Sequence, residues 1–407
     1  MQFPPALRHR NYRIFFTGLV ISQIGVWMQT IAMSWLAYRL TGSVFMLGLV
    51  GFASQIPVLF LAPVGGVLAD RFNRRKLMMT TQTVALCQAS TLAVLTLTGI
   101  VQPWHLVALS LLLGTIYAVD VPVRQSMSAH LIDDPKDLPN AITMNGMSFN
   151  LSRLIGPAIG GAVVAAYGEG ACFTLNVMTY AIAIGFLSRL QVHSSGNRGL
   201  GLAGGLQEGF RFAFGRPETR ALLAMSGAIA LTTLPYSVLL PYFAKNVFSG
   251  HADTLGLLMS AMSFGGVGAV FYALGRRTIP GVPPLIYRAA VVMGLALILF
   301  PLMPGLWLAV IPIAVAGGAT FLIGNGASTL VQIMVPDALR GRMMAIFTMF
   351  WFGMVPVGSL AVGAIADVIG PEHAIALCGW CCMVAGVLFR RTLPRFYSVL
   401  KPKVSDA

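Results

Sequence analysis

The chain has 407 residues, of which 57% are apolar and only 10% charged, where an average soluble chain carries roughly a quarter charged residues. That composition excludes a soluble globular fold. The net charge of +14 raises the question of a nucleic-acid partner, which the placement of the basic residues has to answer.

The apolar residues fall into blocks of about 20 or more, the length needed to cross a hydrocarbon core of about 30 Å as helix. A β-barrel would show short alternating strands instead. In chain order the blocks predict spans near 12–40, 45–69, 77–99, 104–128, 141–167 and 171–190, then 220–246, 254–275, 284–303, 306–333, 343–368 and 372–393. The expected fold class is therefore all-α integral membrane, with twelve transmembrane helices. Before the first block stand Arg8 and Arg10 but no short apolar core ending in small residues, so no cleavable signal is expected and the first span stays in the membrane.

With odd-numbered spans running outward, every Lys and Arg except Arg39, Lys245, Arg124 and Arg153 falls in a cytoplasmic segment. This is the positive-inside pattern: it accounts for the basic balance without nucleic acid and puts both termini in the cytoplasm. The five cysteines, Cys87, Cys172, Cys378, Cys381 and Cys382, all fall inside spans. Neither an outer disulfide nor a metal site is expected of them; they read as small apolar residues.

The longest polar interruption, Gln191 to Gly205, is rich in Gly and Ser and separates six spans from six. After it, Leu206, Phe210 and Phe214 with Arg211 and Arg216 predict a short amphipathic helix lying on the membrane surface. The domain division is thus 1–190, a linker 191–219, 220–393 and a tail 394–407. A shift of 202 residues lays Gly66 on Gly268, Arg74 on Arg276, Arg75 on Arg277, Gly156 on Gly358, Gly161 on Gly363 and Gly168 on Gly370. One offset across both regions marks an internal duplication, and repeated halves on a flexible linker suit rocking about a central site.

Between spans two and three the chain reads Gly66-Val-Leu-Ala-Asp70-Arg71-Phe-Asn73-Arg74-Arg75-Lys76. Topology alone explains the positive charges. It does not explain a carboxylate at a helix end or a glycine four residues before it, which would let a neighbouring helix come close. This segment closely resembles the signature G-x-x-x-D-R-x-G-R-R of the major facilitator superfamily, with Asn73 in place of the usual glycine. The resemblance implies the two-halved fold of that superfamily. It also implies that Gly66, Asp70, Arg71, Arg74 and Arg75 form a latch between the halves, closed in the outward-facing state and released on switching. The second copy keeps Gly268, Gly275, Arg276 and Arg277 but has Tyr272 for the aspartate, so the latch is expected to rest on the first half.

Span four carries Asp120 and Arg124 on one helix face, four residues apart and placed to neutralise each other. Asp120 is the only acid well inside a predicted span, which makes it a candidate proton carrier. The resemblance favours a structural role instead, pairing with loop arginines such as Arg74 within the latch. Span five contains Ser152-Arg153-Leu-Ile-Gly156-Pro157-Ala-Ile-Gly160-Gly161. The small residues make a flat packing groove and Pro157 removes one backbone hydrogen bond. The order resembles the superfamily's antiporter motif g-x-x-x-G-P-x-x-G-G, which is associated with exporters more than importers. Arg153 stands about 18 Å into its span, where an arginine costs about 3 kcal/mol. Two readings stand: a counter-charge for an anionic or polar substrate, or a structural pair with backbone carbonyls or Asp120.

Val335-Pro336-Asp337-Ala-Leu-Arg340-Gly341-Arg342, the opening Leu7–Arg13, Trp27-Met-Gln29-Thr30 and Tyr38–Ser43 together resemble one branch of that superfamily. It is the group of enterobactin-exporter-like and macrolide-efflux-like bacterial transporters, and the likeness covers nearly the whole chain. Candidate substrate contacts are Gln23, Trp27, Thr30 and Ser34 in span one, Asn150 and Arg153 in span five, Thr232 and Tyr236 in span seven, and Asn325 in span ten. Such a site suits an amphipathic organic molecule. The expected function is secondary-active export of a drug-like or siderophore-like compound, with the proton as coupling ion, by a monomer in the bacterial cytoplasmic membrane. There is no phosphate-binding G-x-x-x-x-G-K-[ST] and no Ser/His/Asp cluster at one depth, so neither cofactor nor enzymatic activity is expected. A non-transporting sensor or assembly partner on the same fold is the alternative, and an intramembrane enzyme a more remote one.

Overall fold

The computed structural model describes residues 4–132, 134–190, 211–274 and 281–397. The expected linker stretch 191–210, including Leu206 and Phe210, lies outside these residues, as do Gly275, Arg276 and Arg277. Water is absent from a hydrocarbon core, so the backbone must satisfy its own polar groups, and helix is what a single segment offers. The described residues accordingly fold into helices and turns with no strand.

The long helices are α1 (Arg10–Thr41), α2 (Val44–Arg71), α3 (Arg74–Leu97), α4 (Pro103–His130), α5 (Leu138–Tyr167) and α6 (Glu169–Ser188). They are followed by α7 (Pro217–Thr232), α8 (Ala252–Leu274), α9 (Val282–Leu299), α10 (Leu306–Met334), α11 (Asp337–Ile369) and α12 (Pro371–Arg390). Eleven segments among the described residues are long and apolar enough to cross a membrane. The predicted twelfth is α3, whose 24 residues reach about 36 Å. It is less apolar than the others because Arg74, Arg75 and Lys76 open it and Thr80, Thr81, Gln82, Thr83 and Gln88 follow. Thr81, Gln82 and Gln88 turn inward and are buried, whereas Thr80 and Thr83 are exposed.

Span seven is not one regular helix. After α7 the chain passes through a 3-10 stretch, Leu234–Leu239, a single turn, Leu240–Tyr242, and a π-helical turn, Phe243–Val247. Pro235 and Pro241, which lack the N–H that a continuing α-helix needs, account for the break. Its first-half counterpart α1 runs unbroken for 32 residues.

Two compact units form. The first comprises Met1–Gly42, Ala53–Leu200 and Ala244–Ser260, the second Ser43–Phe52, Gly201–Phe243 and Ala261–Ala407. In the first, α1 packs on α5 and α6, and α3 on α6 and α4. In the second, α9 packs on α12 and α10, and α11 on α7. Arg39 at the end of α1 grips Glu169 at the start of α6 with both guanidinium and carboxylate forks, at 2.7 and 3.2 Å.

The duplication is written into the turns. Gly168, between α5 and α6, and Gly370, between α11 and α12, have φ of 83° and 89°, a region open to glycine. Their N–H groups donate to Val164 and Ala366, again 202 residues apart, at 2.9 and 3.0 Å. It is also written into two helix crossings. In the first unit a β-carbon on Gly161 of α5 would stand 2.6 Å from the Ala252 carbonyl oxygen and 3.0 Å from Gly256 Cα of α8. In the second unit a β-carbon on Gly363 of α11 would stand 3.0 Å from Gly48 Cα of α2. The reciprocal contacts match as well: Gly256 meets the carbonyl of Pro157, and Gly48 that of Ser359, its repeat equivalent. Gly66 and Gly268, by contrast, face open space. The close approach expected at Gly66 is made by its neighbour Gly65, against Ala118 and Val119 of α4.

Gly161→Ala should therefore lower the midpoint of thermal unfolding in detergent, with an overpacking cost of about 1–3 kcal/mol, while Gly66→Ala leaves it at the wild-type value. Equal midpoints for the two variants would contradict the crossing.

Candidate functional site

Three groups of residues concentrate polar chemistry among the described helices. The first is the turn between α2 and α3. Asp70 and Arg71 end α2, and the Asp70 side chain lies outside the described residues. Asn73, the departure from the family signature, has a local reason: its side chain accepts the Lys76 N–H at 3.1 Å and caps α3. Arg75 donates to the carbonyls of Leu187 and Ser188 at 3.0 and 2.5 Å, tying α3 to the C-terminal end of α6. Arg74 is buried, and its Nη1 lies 2.9 Å from His130 Nε2 at the end of α4.

The second group is a buried polar chain inside the first unit. Asp120 is paired with Arg124 one turn on, and its Oδ1 accepts from Thr81 Oγ1 at 2.8 Å and Gln82 Nε2 at 3.1 Å. The loop arginine Arg74, suggested by the resemblance as partner, is engaged by His130 instead. Tyr117 and Tyr180 stand beside the Asp120–Arg124 pair. Farther along, Asn176 Nδ2 donates to Gln29 Oε1 at 2.5 Å, Gln29 Nε2 to Gln88 Oε1 at 3.1 Å, and Gln88 Nε2 to the Leu109 carbonyl at 3.2 Å. Gln29, Gln88, Asn176 and Asp120 are each no more than 1% exposed. A buried amide or carboxylate without partners would cost several kcal/mol; here Asp120 meets Arg124, Thr81 and Gln82, and the three amides meet one another. Sequence reasoning singled out Asp120 and Arg124 but missed the amides. Their signal was available: Gln29, Gln82, Gln88 and Asn176 are four amides within predicted spans, which hydrocarbon tolerates only in mutual contact.

The third group lies where α5 crosses α1. A β-carbon on Gly156 would meet Trp27 Cβ at 2.5 Å and the Ile24 carbonyl at 3.0 Å, and one on Gly160 would meet Met28 Cα at 2.8 Å. With Gly161 turned to α8, the glycines of the span-five motif serve two neighbours from two faces of one helix. The closeness brings Arg153 over the Trp27 ring, its guanidinium carbon 5.7 Å from the centroid. The Trp27 ring in turn lies edge-on to Phe149 at 5.9 Å. Gln23, on the same helix as Trp27, accepts from Ser148 Oγ at 3.3 Å.

The remaining candidates are less distinctive. Thr30 and Thr232 donate to their own helices, at Val26 and Ala228, and Asn150 to Gly146. In the second unit Tyr236 is buried and Asn325 exposed, and Gly358 abuts Leu231 and Pro235, where α7 breaks. Cys378 and Cys382 are buried, and the Cys378 carbonyl accepts from Thr233 Oγ1 at 3.2 Å.

The chain is similar throughout to known transporters. It is 26% identical over 375 residues to the staphyloferrin A transporter of Staphylococcus aureus, covering 90% of this chain and 92% of that one. It is 27% identical over 384 residues to the multidrug efflux pump Tap of Mycobacterium tuberculosis, covering 88% and 87%. It is 25% identical over 403 residues to the enterobactin exporter EntS of Shigella flexneri, covering 95% of each. Among solved structures, the nucleoside transporter NupG shares the fold with a TM-score of 0.72 at 16% identity, over 94% of this chain and 98% of that one. The family model for transmembrane secretion effectors matches residues 2–403. The chain is thus a multi-pass membrane transporter, not an enzyme, and it belongs to the transmembrane secretion effector family of the major facilitator superfamily.

Proposed function

We propose that this transporter exports a small amphipathic organic compound, drug-like or siderophore-like, by alternating access in exchange for protons. It acts as a monomer in the bacterial cytoplasmic membrane, with both termini in the cytoplasm and the six-helix halves 1–190 and 220–393 rocking about the linker. Export is supported by the span-five motif and by relatives named as an efflux pump and an exporter. The observation that carries the substrate class is the Arg153–Trp27–Phe149 group. It offers a positive charge and two aromatic surfaces in the middle of a span, a surface that suits an amphipathic solute with a polar or anionic group. The two glycine crossings, α5 on α8 and α2 on α11, join helices from opposite halves of the sequence. In this proposal they part when the cavity turns to the other side.

Asp120 is read as structural, because Arg124, Thr81 and Gln82 already engage it. Breaking one partner of such a buried pair costs about 3–5 kcal/mol. Asp120→Asn alone should therefore lower the amount of folded protein, and Asp120→Asn with Arg124→Gln should restore much of it. In inverted vesicles the double variant should still accumulate ethidium under a pH gradient; abolished accumulation at normal protein level would make Asp120 the carrier. Arg153→Ala, at unchanged protein level, should reduce transport of at least one accepted compound more than tenfold, with Arg153→Lys intermediate. Unchanged transport of every accepted compound would remove Arg153 from the substrate site.

A further inference from the structure

His130 ends α4 just beyond the apolar segment Pro103–Ser128, and it is exposed. Both its ring nitrogens are engaged. Nδ1 lies 2.9 Å from the Ser126 carbonyl oxygen, and Nε2 lies 2.9 Å from Arg74 Nη1. A carbonyl oxygen only accepts, so Nδ1 carries the hydrogen; a guanidinium only donates, so Nε2 presents its lone pair. The two contacts together admit one state of the imidazole, the neutral Nδ1–H tautomer. A second proton would go onto Nε2 and set N–H against N–H and positive against positive at hydrogen-bond distance. Arg74, 6% exposed and with a buried Nε that has no hydrogen-bond partner among the described residues, would lose the His130 acceptor.

We infer that His130 is a proton site: neutral, it holds Arg74 at the start of α3, and protonated, it releases it. The inference rests on the proposed gate role of Arg74 and deepens it by naming the proton acceptor that acts on the gate. Imidazole is the side chain suited to exchange protons near neutral pH. The other charged groups around this end of the unit have their own places. From α3, Arg75 is bound to the end of α6 and Lys76 is exposed. On α4 itself Arg124 is held by Asp120. In the following turn the Asp134 side chain accepts from the Lys136 backbone, and Asp137 pairs with His9 at 2.9 Å. Asp70 and exposed Arg71 stand at the end of α2.

The duplication supplies an internal control. At the 202-residue shift Ser126 falls on Ser328 and His130 on Gln332. Gln332 donates from Nε2 to Ser328 Oγ at 3.2 Å, so the second half links the same two positions, through the serine hydroxyl instead of the carbonyl, with an amide that does not titrate. His130→Gln writes that version into the first half: its amide oxygen can accept from Arg74 and takes up no proton. His130→Lys writes in the charged state.

The experiment attaches bimane to Lys76→Cys, next to Arg75 on the first turn of α3, in a Cys87→Ser background. Emission is followed on the full chain in nanodiscs between about pH 8 and pH 5.5. With His130 in place the emission should shift as pH falls. His130→Gln should lose the shift and keep the alkaline emission, and His130→Lys should show the acid emission throughout. If His130→Gln does not elute as folded protein, His130→Asn is read in its place. A shift that persists without the imidazole, or no shift with it, overturns the proposal. Failure of the gate role alone would show differently, as the expected emission changes without any effect of internal pH on transport.

Discussion

Apolar side chains gain little by meeting one another when the solvent is itself hydrocarbon, so helices in a membrane are held by how closely their backbones approach and by polar groups that must meet each other. The structure depends on that constraint twice over. Close approach is concentrated where side chains vanish, at Gly156 and Gly160 against α1, Gly161 against Gly256, and Gly48 against Gly363. Polar contact is concentrated in the first unit, where the Asp120–Arg124 pair, Thr81 and Gln82, and the trio Gln29, Gln88 and Asn176, satisfy one another away from lipid. Crossings made of glycine and backbone carbonyl carry few interlocking side chains. Such a surface can separate and re-form without repacking a core, as the proposed alternating access requires.

The two halves share a plan but not a chemistry. Turns at Gly168 and Gly370 and crossings at Gly161 and Gly363 recur at one offset. The intramembrane acid Asp120, by contrast, falls in the first half, as does His130, whose counterpart is Gln332. The second half contributes geometry of its own, the broken course of the chain after α7, with Gly358 packed against it. In the proposed mechanism the first copy supplies Asp120 and His130 and the second the helix break.

Much of the architecture is legible in the sequence, because the membrane enforces a single length scale and a single kind of element. The apolar blocks foretell the spans, the 202-residue offset foretells the matching turns, and the basic residues mark a side. What escapes is whatever depends on partners. α3 reads as one more apolar block only if its Thr and Gln residues are overlooked, and the inward placement of Thr81, Gln82 and Gln88 appears only when α4 and α6 are packed around them. The glycine that meets α4 is Gly65, not the motif's Gly66, since a one-residue difference rotates the contact by about 100° around a helix. The partner of Arg74 proved to be a histidine 56 residues away, which no local pattern announces.

In the proposed mechanism transport requires the glycine crossings to part. Gly51 of α2 lies at the same crossing with room for a side chain, its β-carbon site being 3.4 Å from Ser359 Cβ of α11, within disulfide reach. The decisive measurement is ethidium transport by the Gly51→Cys/Ser359→Cys protein, in a background without native cysteines, before and after oxidation and again after reduction. Oxidation should stop transport and reduction should restore it. Transport at an undiminished rate through a fully cross-linked α2–α11 crossing would contradict the proposed mechanism.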